Sequence, residues 1–272
     1  MTDAIERIAT ALERLAPAPS VAADPAAHPA YVWRDDALVA ARHFVPLPLR
    51  LLRGIDAQKD AALANLARLA AGHAAHDMLL WGARGAGKSA LVKSAVGALQ
   101  TDGATLALVD IAAASLASLP RLFAMIEGIN RGFALFVDDL GFDQAGEARA
   151  LRSLLEGGAE ARPANARFCV TSNRRHLMPR DLAEQDSAIN PRDVVDDNLA
   201  LADRFGLSLG FHVLDQPGYL AIVEGYVADF KLPFDPQDAL LWATQRGARS
   251  GRIAWHYVVD LAGRHGQSLE SH

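Results

Sequence analysis

The run Gly82-Ala83-Arg84-Gly85-Ala86-Gly87-Lys88-Ser89 constrains this chain more than any other stretch. It satisfies G-x-x-x-x-G-K-S/T and stands in the context that pattern requires. The apolar run Met78-Leu79-Leu80-Trp81 precedes it, and a helical stretch from Lys88 to Leu99 follows. Gly82, Gly85 and Gly87 let the backbone curl until amide N–H groups converge on phosphate oxygens, with Ala83, Arg84 and Ala86 completing the loop. The helix that follows points its positive end at the same place. Lys88 would reach the β and γ phosphates, and the Ser89 hydroxyl would ligate Mg²⁺.

A second signal lies about fifty residues on. Phe133-Ala134-Leu135-Phe136-Val137-Asp138-Asp139 reads as a buried strand that delivers two carboxylates to its C-terminal edge, where open α/β sheets bind ligands. Asp138 would complete the Mg²⁺ shell, and Asp139 would orient or deprotonate an attacking water. No Asn-Lys-x-Asp guanine signature occurs, so ATP is the expected nucleotide.

Between and beyond these motifs, short apolar runs alternate with helical stretches. Thr105 to Val109, Phe133 to Val137, Arg167 to Thr171 and Gly206 to Val213 read as strands, and the segments through Leu122 and Ala148 as helices. That order predicts βαβ units, hence a parallel sheet with helices on both faces. From Pro217 onward only helical spacing remains, in Tyr219 to Phe230, Pro236 to Gln245 and Arg252 to Leu261. Upstream, Ile5, Ile8, Leu12 and Leu15 form an amphipathic stripe ending at Pro17, residues 31 to 44 read as helical, and Asp56 to Ala71 as a further helix. The expected domains are a helical N-terminal extension over 1–45, an α/β nucleotide-binding domain over 46–215 and a helical domain over 216–272.

Composition narrows the class. Of 272 residues, 51% are hydrophobic and 22% charged, which is globular rather than disordered. A net charge of −5 does not support a nucleic-acid partner for the chain as a whole, although it permits a local basic strip. The single cysteine, Cys169, excludes an internal disulfide and a cysteine-based zinc site, as a reducing cytosol would favour. No basic, apolar leader and no long apolar span occur, so a cytoplasmic protein without membrane attachment is expected.

These motifs, with a later strand ending Thr171-Ser172-Asn173, an Arg204-Phe205 pair and a helical C-terminal part, resemble an AAA+ P-loop ATPase. More closely, the chain resembles the bacterial AAA+ group known as domain of unknown function 815. Leu52-Arg53-Gly54-Ile55-Asp56-Ala57-Gln58-Lys59, Thr171-Ser172-Asn173-Arg174-Arg175-His176-Leu177, Asp203-Arg204-Phe205-Gly206 and Ser250-Gly251-Arg252 carry that likeness over roughly residues 45–265. The resemblance implies an α/β P-loop NTPase sheet with a small helical lid. It assigns Asn173 to sensor 1, which places the hydrolytic water. Arg204 becomes an arginine finger reaching a neighbouring subunit, Arg252 becomes sensor 2, with Arg249 close enough to compete, and Ile55 flanks the adenine.

Two departures bear on activity. Asp139 stands where most AAA+ members carry Glu, which shortens the reach to water. The segment Ile111-Ala112-Ala113-Ala114-Ser115 lacks the aromatic pore loop of polypeptide-threading relatives, so threading is disfavoured. The expected function is Mg²⁺-dependent ATP hydrolysis by a homo-oligomer that remodels or moves an unknown macromolecular partner. The alternative is a slow ATP-dependent switch or loader acting on a partner such as DNA, and a small-metabolite kinase is third. Trp242 and Trp255 read as core of the helical part, Cys169 as buried and inert, and the basic cluster at residues 174–176 as either solvated surface or a contact to an anion.

Overall fold

The computed structural model describes residue 7 and residues 22–140, 145–157, 162–173 and 203–269. The stripe at Ile5 to Leu15 and the cluster at residues 174–176 lie outside the described residues.

Seven strands form one sheet: β1 (Ala30–Arg34), β2 (Ala37–Ala40), β3 (Met78–Gly82), β4 (Leu106–Ile111), β5 (Gly132–Val137), β6 (Ala166–Ser172) and β7 (Leu207–Phe211). Their order is β2-β1-β4-β5-β6-β3-β7. Every pairing is parallel except the β1–β2 hairpin. The helices are α1 (Asp56–Ala70), α2 (Lys88–Thr101), α3 (Leu119–Ile126), α4 (Ala145–Glu156), α5 (Gln216–Asp229), α6 (Pro236–Gln245) and α7 (Gly251–Arg264).

Central strands are buried on both faces, and their side chains sort by parity. Phe133, Leu135 and Val137 of β5 enter one apolar layer with Phe168 and Val170 of β6 and with Leu119 and Leu122 of α3. Ala134 and Phe136 enter the other, with Leu66 and Leu69 of α1 and Leu91, Val92 and Ala95 of α2. A period of two within each strand, covered on both sides, is why these segments read as unbroken apolar runs.

Residues 31 to 44 correct the sequence expectation. They are not helical: β1 and β2 form a hairpin that adds to the sheet through β4, with Tyr31 opposite Ala40 and Trp33 opposite Leu38. The α/β unit therefore begins upstream of residue 46, and the stretch from 30 to 45 is no helical extension. Tyr31 and Trp33 point inward while Val32 and Arg34 point out. Asp35 and Asp36 make the turn at φ +53° and +56°, the left-handed geometry of a two-residue hairpin. Asp tolerates that region better than most residues, but Asp-Asp lacks the glycine that usually announces such a turn.

The three C-terminal helices enclose a core of their own, built on Tyr219, Val223, Ala239, Ala254, Tyr257 and Val258. Each helix is N-capped by its preceding residue. Asp215 accepts from the Gly218 N–H at 2.8 Å, Asp235 from Gln237 at 2.9 Å and Ser250 from Ile253 at 3.3 Å. Two consecutive leucines tie this unit to the sheet: Leu51 is buried in the helical core, Leu52 in the layer beneath α1 and α2. Among the described residues, no helix is long and apolar enough to cross a membrane.

Candidate functional site

Parallel strands put their C-terminal tips on one edge, and there the motifs meet. Gly82 ends β3 one residue after Trp81, which pairs with Ser172 of β6, and β5 runs out into Asp138 and Asp139. The loop after β3 needs its glycines. Gly82 has φ +121°, and a β-carbon there would overlap the carbonyl oxygen of Phe211. That same oxygen accepts from the Ala83 N–H at 2.9 Å. Gly87, at φ +96°, is the residue before α2, whose first N–H groups have no acceptor within the helix.

Lys88 is 5% exposed and folds back over the loop. Its ammonium donates to the carbonyls of Gly82 and Ala83 and to Oδ1 of Asn173, each at 2.9 Å. Burial pulls its pKa below the ordinary lysine value; the Asp139 and Asp138 carboxylates oppose that shift, and the Arg252 charge adds to it. A buried cation next to a second positive charge is a site that gains from an incoming polyanion.

Ser89 Oγ donates to Asp138 Oδ1 at 2.5 Å. The same carboxylate oxygen accepts from Thr171 Oγ1 at 2.6 Å, and Thr171 Oγ1 in turn accepts the Asp139 N–H at 2.8 Å. Asp139 sits at φ +51° with its side chain exposed, and its carboxylate accepts from the Asn173 amide. Ser89 and Asp138 bring a hydroxyl and a carboxylate together, a hard-oxygen pair suited to a small divalent cation. Thr171 was missed in the sequence, where it passed as one more β6 residue. The only signal was its place beside Ser172 and Asn173 at the strand end.

The helical unit closes this site from above. A β-carbon on Gly85 would lie 2.9 Å from Ser250 Oγ and 3.5 Å from Arg252 Cβ, so the start of α7 rests on the loop. A cleft of about 400 Å³ results, lined by Arg84, Gly85, Gly87, Lys88, Ser89, Asp138, Asp139, Thr171, Asn173 and Arg252. Arg249 instead lines a neighbouring cavity with Ala83, Ala86 and His212. Apolar walls come from Leu47, Leu52, Tyr226 and Trp255. Ile55 lies below, where a Gly87 β-carbon would touch it at 3.7 Å. Trp255 packs against the helical core, edge-on to Tyr226 at 5.3 Å, and borders the cleft as well.

Arg204 is not in this cleft. It precedes β7, whose first residue pairs with Met78, so it lies at the sheet edge opposite Gly82 and forms an ion pair with Glu156. Cys169 is fully buried, and burial pushes its thiol well above the ordinary range, which leaves it inert. No cluster of three or more His, Cys, Asp or Glu residues able to hold a metal occurs among the described residues.

The sequence profile of a family described as "Protein of unknown function (DUF815)" matches residues 26–265. No curated protein matches the chain. Among solved structures, the Aeropyrum pernix ORC2 protein (ADPNP-ADP complexes) is similar at TM-score 0.55 and 16% identity, covering 85% of this chain and 68% of that one. The Aeropyrum pernix ORC1 protein in complex with DNA gives 0.54 and 17%, covering 84% and 64%. A Thermotoga maritima RuvB mutant gives 0.50 and 16%, covering 79% and 64%. The chain thus spans about two thirds of the length of these proteins, and at such identities the likeness shows the fold.

Proposed function

The chain belongs to the DUF815 family and has the AAA+ P-loop ATPase fold, and from that premise we propose that it hydrolyses ATP in a site completed by a neighbouring copy of itself. One observation carries the reading. Lys88, Asn173 and Asp139 form an unbroken hydrogen-bonded chain at the lip of the cleft, beside the Ser89–Asp138 pair.

The roles follow from chemistry. The loop amides and Lys88 would hold the triphosphate, and Arg252 would meet it from the helical unit. Ser89 and Asp138 would hold Mg²⁺, which supplies charge neutralisation on the phosphates. Asp139 would take the proton from water as its oxygen attacks the γ-phosphorus and the bond to the β-phosphate oxygen breaks; Asn173 fixes the direction of that carboxylate. The Leu47, Leu52, Tyr226 and Trp255 walls suit the base. Arg204, absent from its own site, would act on the site of an adjacent copy, where a guanidinium offsets spread phosphoryl charge. Coupled to movement of the helical unit, hydrolysis would remodel or move a macromolecular partner.

A second reading is favoured by Asp139, which is short for a water-activating residue and is engaged by Asn173. A slow ATP-dependent switch or loader, acting on a partner such as DNA, would need little turnover. ATP hydrolysis per chain, measured across a wide protein concentration range, separates the two. Specific activity that climbs with concentration, and vanishes in Arg204→Ala while ATP affinity is retained, supports the completed-site reading. A flat, near-zero rate despite tight binding supports the switch.

A further inference from the structure

Glu156 is the last residue of α4, and its carboxylate accepts a hydrogen bond from Nη2 of Arg204, 48 positions away. The neighbouring Phe205 is buried in the same apolar layer that receives Leu151, Leu154 and Leu155 of α4. One helix therefore fixes Arg204 twice, its backbone through the core and its guanidinium through a carboxylate. The chain enters that helix a few residues after Asp138 and Asp139.

The pair remains half open to solvent, with 33% of the Arg204 side chain and 50% of the Glu156 side chain exposed. An ion pair this exposed is weak. It cannot withhold a guanidinium from the several negative charges of a bound triphosphate. It biases the guanidinium toward the Glu156 carboxylate without locking it there.

We propose that Glu156 is a positioning residue that presents Arg204 to the nucleotide site of an adjacent copy. The inference rests on the reading of Arg204 as acting in trans.

Subunit mixing tests this and keeps the two readings apart. A chain carrying Arg204→Ala retains its own site but offers no arginine, whereas Asp139→Asn binds ATP without turning it over and still offers Arg204. Mixed, the two should recover activity. Adding Glu156→Gln to the Asp139→Asn donor should lower the recovered plateau rate by about three- to fivefold, the scale of an exposed pair. KM for ATP should not change, and Glu156→Asp should restore most of the rate. Raising the salt should shrink the difference between donors.

Equal plateaus from both donors overturn the proposal, as does a faster rate with Glu156→Gln, which would mean that Glu156 sequesters the arginine. A rate lost equally in Glu156→Gln and Glu156→Asp assigns Glu156 a purely structural role and overturns it as well. No recovery with any donor overturns the in-trans reading itself, and this proposal with it.

Discussion

The ammonium of Lys88 stands 2.9 Å from Oδ1 of Asn173, while the amide nitrogen of the same asparagine donates to Asp139. Lysine offers only donors and an ionised aspartate only acceptors, so the two ends of the Asn173 amide are fixed from both sides. A residue that could flip freely is thereby given one orientation.

Asn173→Ala should therefore lower turnover by about 10²-fold, the usual scale for losing one preorganised donor, with ATP affinity changed by less than about threefold. Steady-state kinetics alongside a binding titration would read both.

Thr171→Val keeps the side chain's shape but removes the hydroxyl shared by Asp138 Oδ1 and the Asp139 N–H. A buried unsatisfied N–H costs about 1–3 kcal/mol. Denaturant unfolding should show a loss of that size, and the Mg²⁺ concentration for half-maximal activity should rise.

Trp255 lines the apolar side of the cleft with Tyr226. Trp255→Ala should raise the Kd for ATP by about tenfold, equivalent to about 1.4 kcal/mol, without a comparable fall in kcat at saturation. Little change in affinity would move the base-binding wall elsewhere.

Gly82→Ala and Gly128→Ala both place alanine at positive φ, but only position 82 has backbone in the way. The first should cost more than about 3 kcal/mol and the second about 1–2 kcal/mol, read by chemical denaturation.

Asp110, at the end of β4, has its pKa raised first by burial, with Lys93 opposing and Asp138 adding. A carboxyl whose folded pKa is raised contributes stability below its unfolded pKa and loses it as pH rises through the folded one. Asp110→Asn should therefore be more stable than the parent at pH 7, with the gap closing as pH falls through the raised folded pKa toward the ordinary value of 3.8. A thermal melt series across pH checks the sign.

Much of this architecture was legible because it depends on local rules. The glycine loop is one case: apolar strand, positive-φ glycines and helix start are all written within a dozen residues. The parity of β4, β5 and β6 is another, since a strand buried on both faces must be apolar throughout. The hairpin at Ala30–Ala40 escaped because Tyr31, Val32, Leu38 and Val39 fit either period, and Asp-Asp is a poor advertisement for a left-handed turn. The family resemblance favours Arg252 over Arg249, but spacing alone does not separate them, since they stand three positions apart at a helix start. The packing of α7 on Gly85 puts Arg252 in the cleft beside Lys88 and Arg249 in the neighbouring cavity.

The sequence by itself determined which residues end the strands of the parallel sheet, because backbone geometry and burial leave few residue types that serve there. Only the tertiary structure decided what those residues do to one another. Lys88, Asn173 and Asp139 are spread over 85 positions and three separate elements, yet they share one chain of hydrogen bonds. Glu156 and Arg204 meet across the sheet's far edge for the same reason. Hydrogen bonds and ion pairs act over a few ångströms, and such distances between remote residues exist only once parallel pairing has brought the strand ends together.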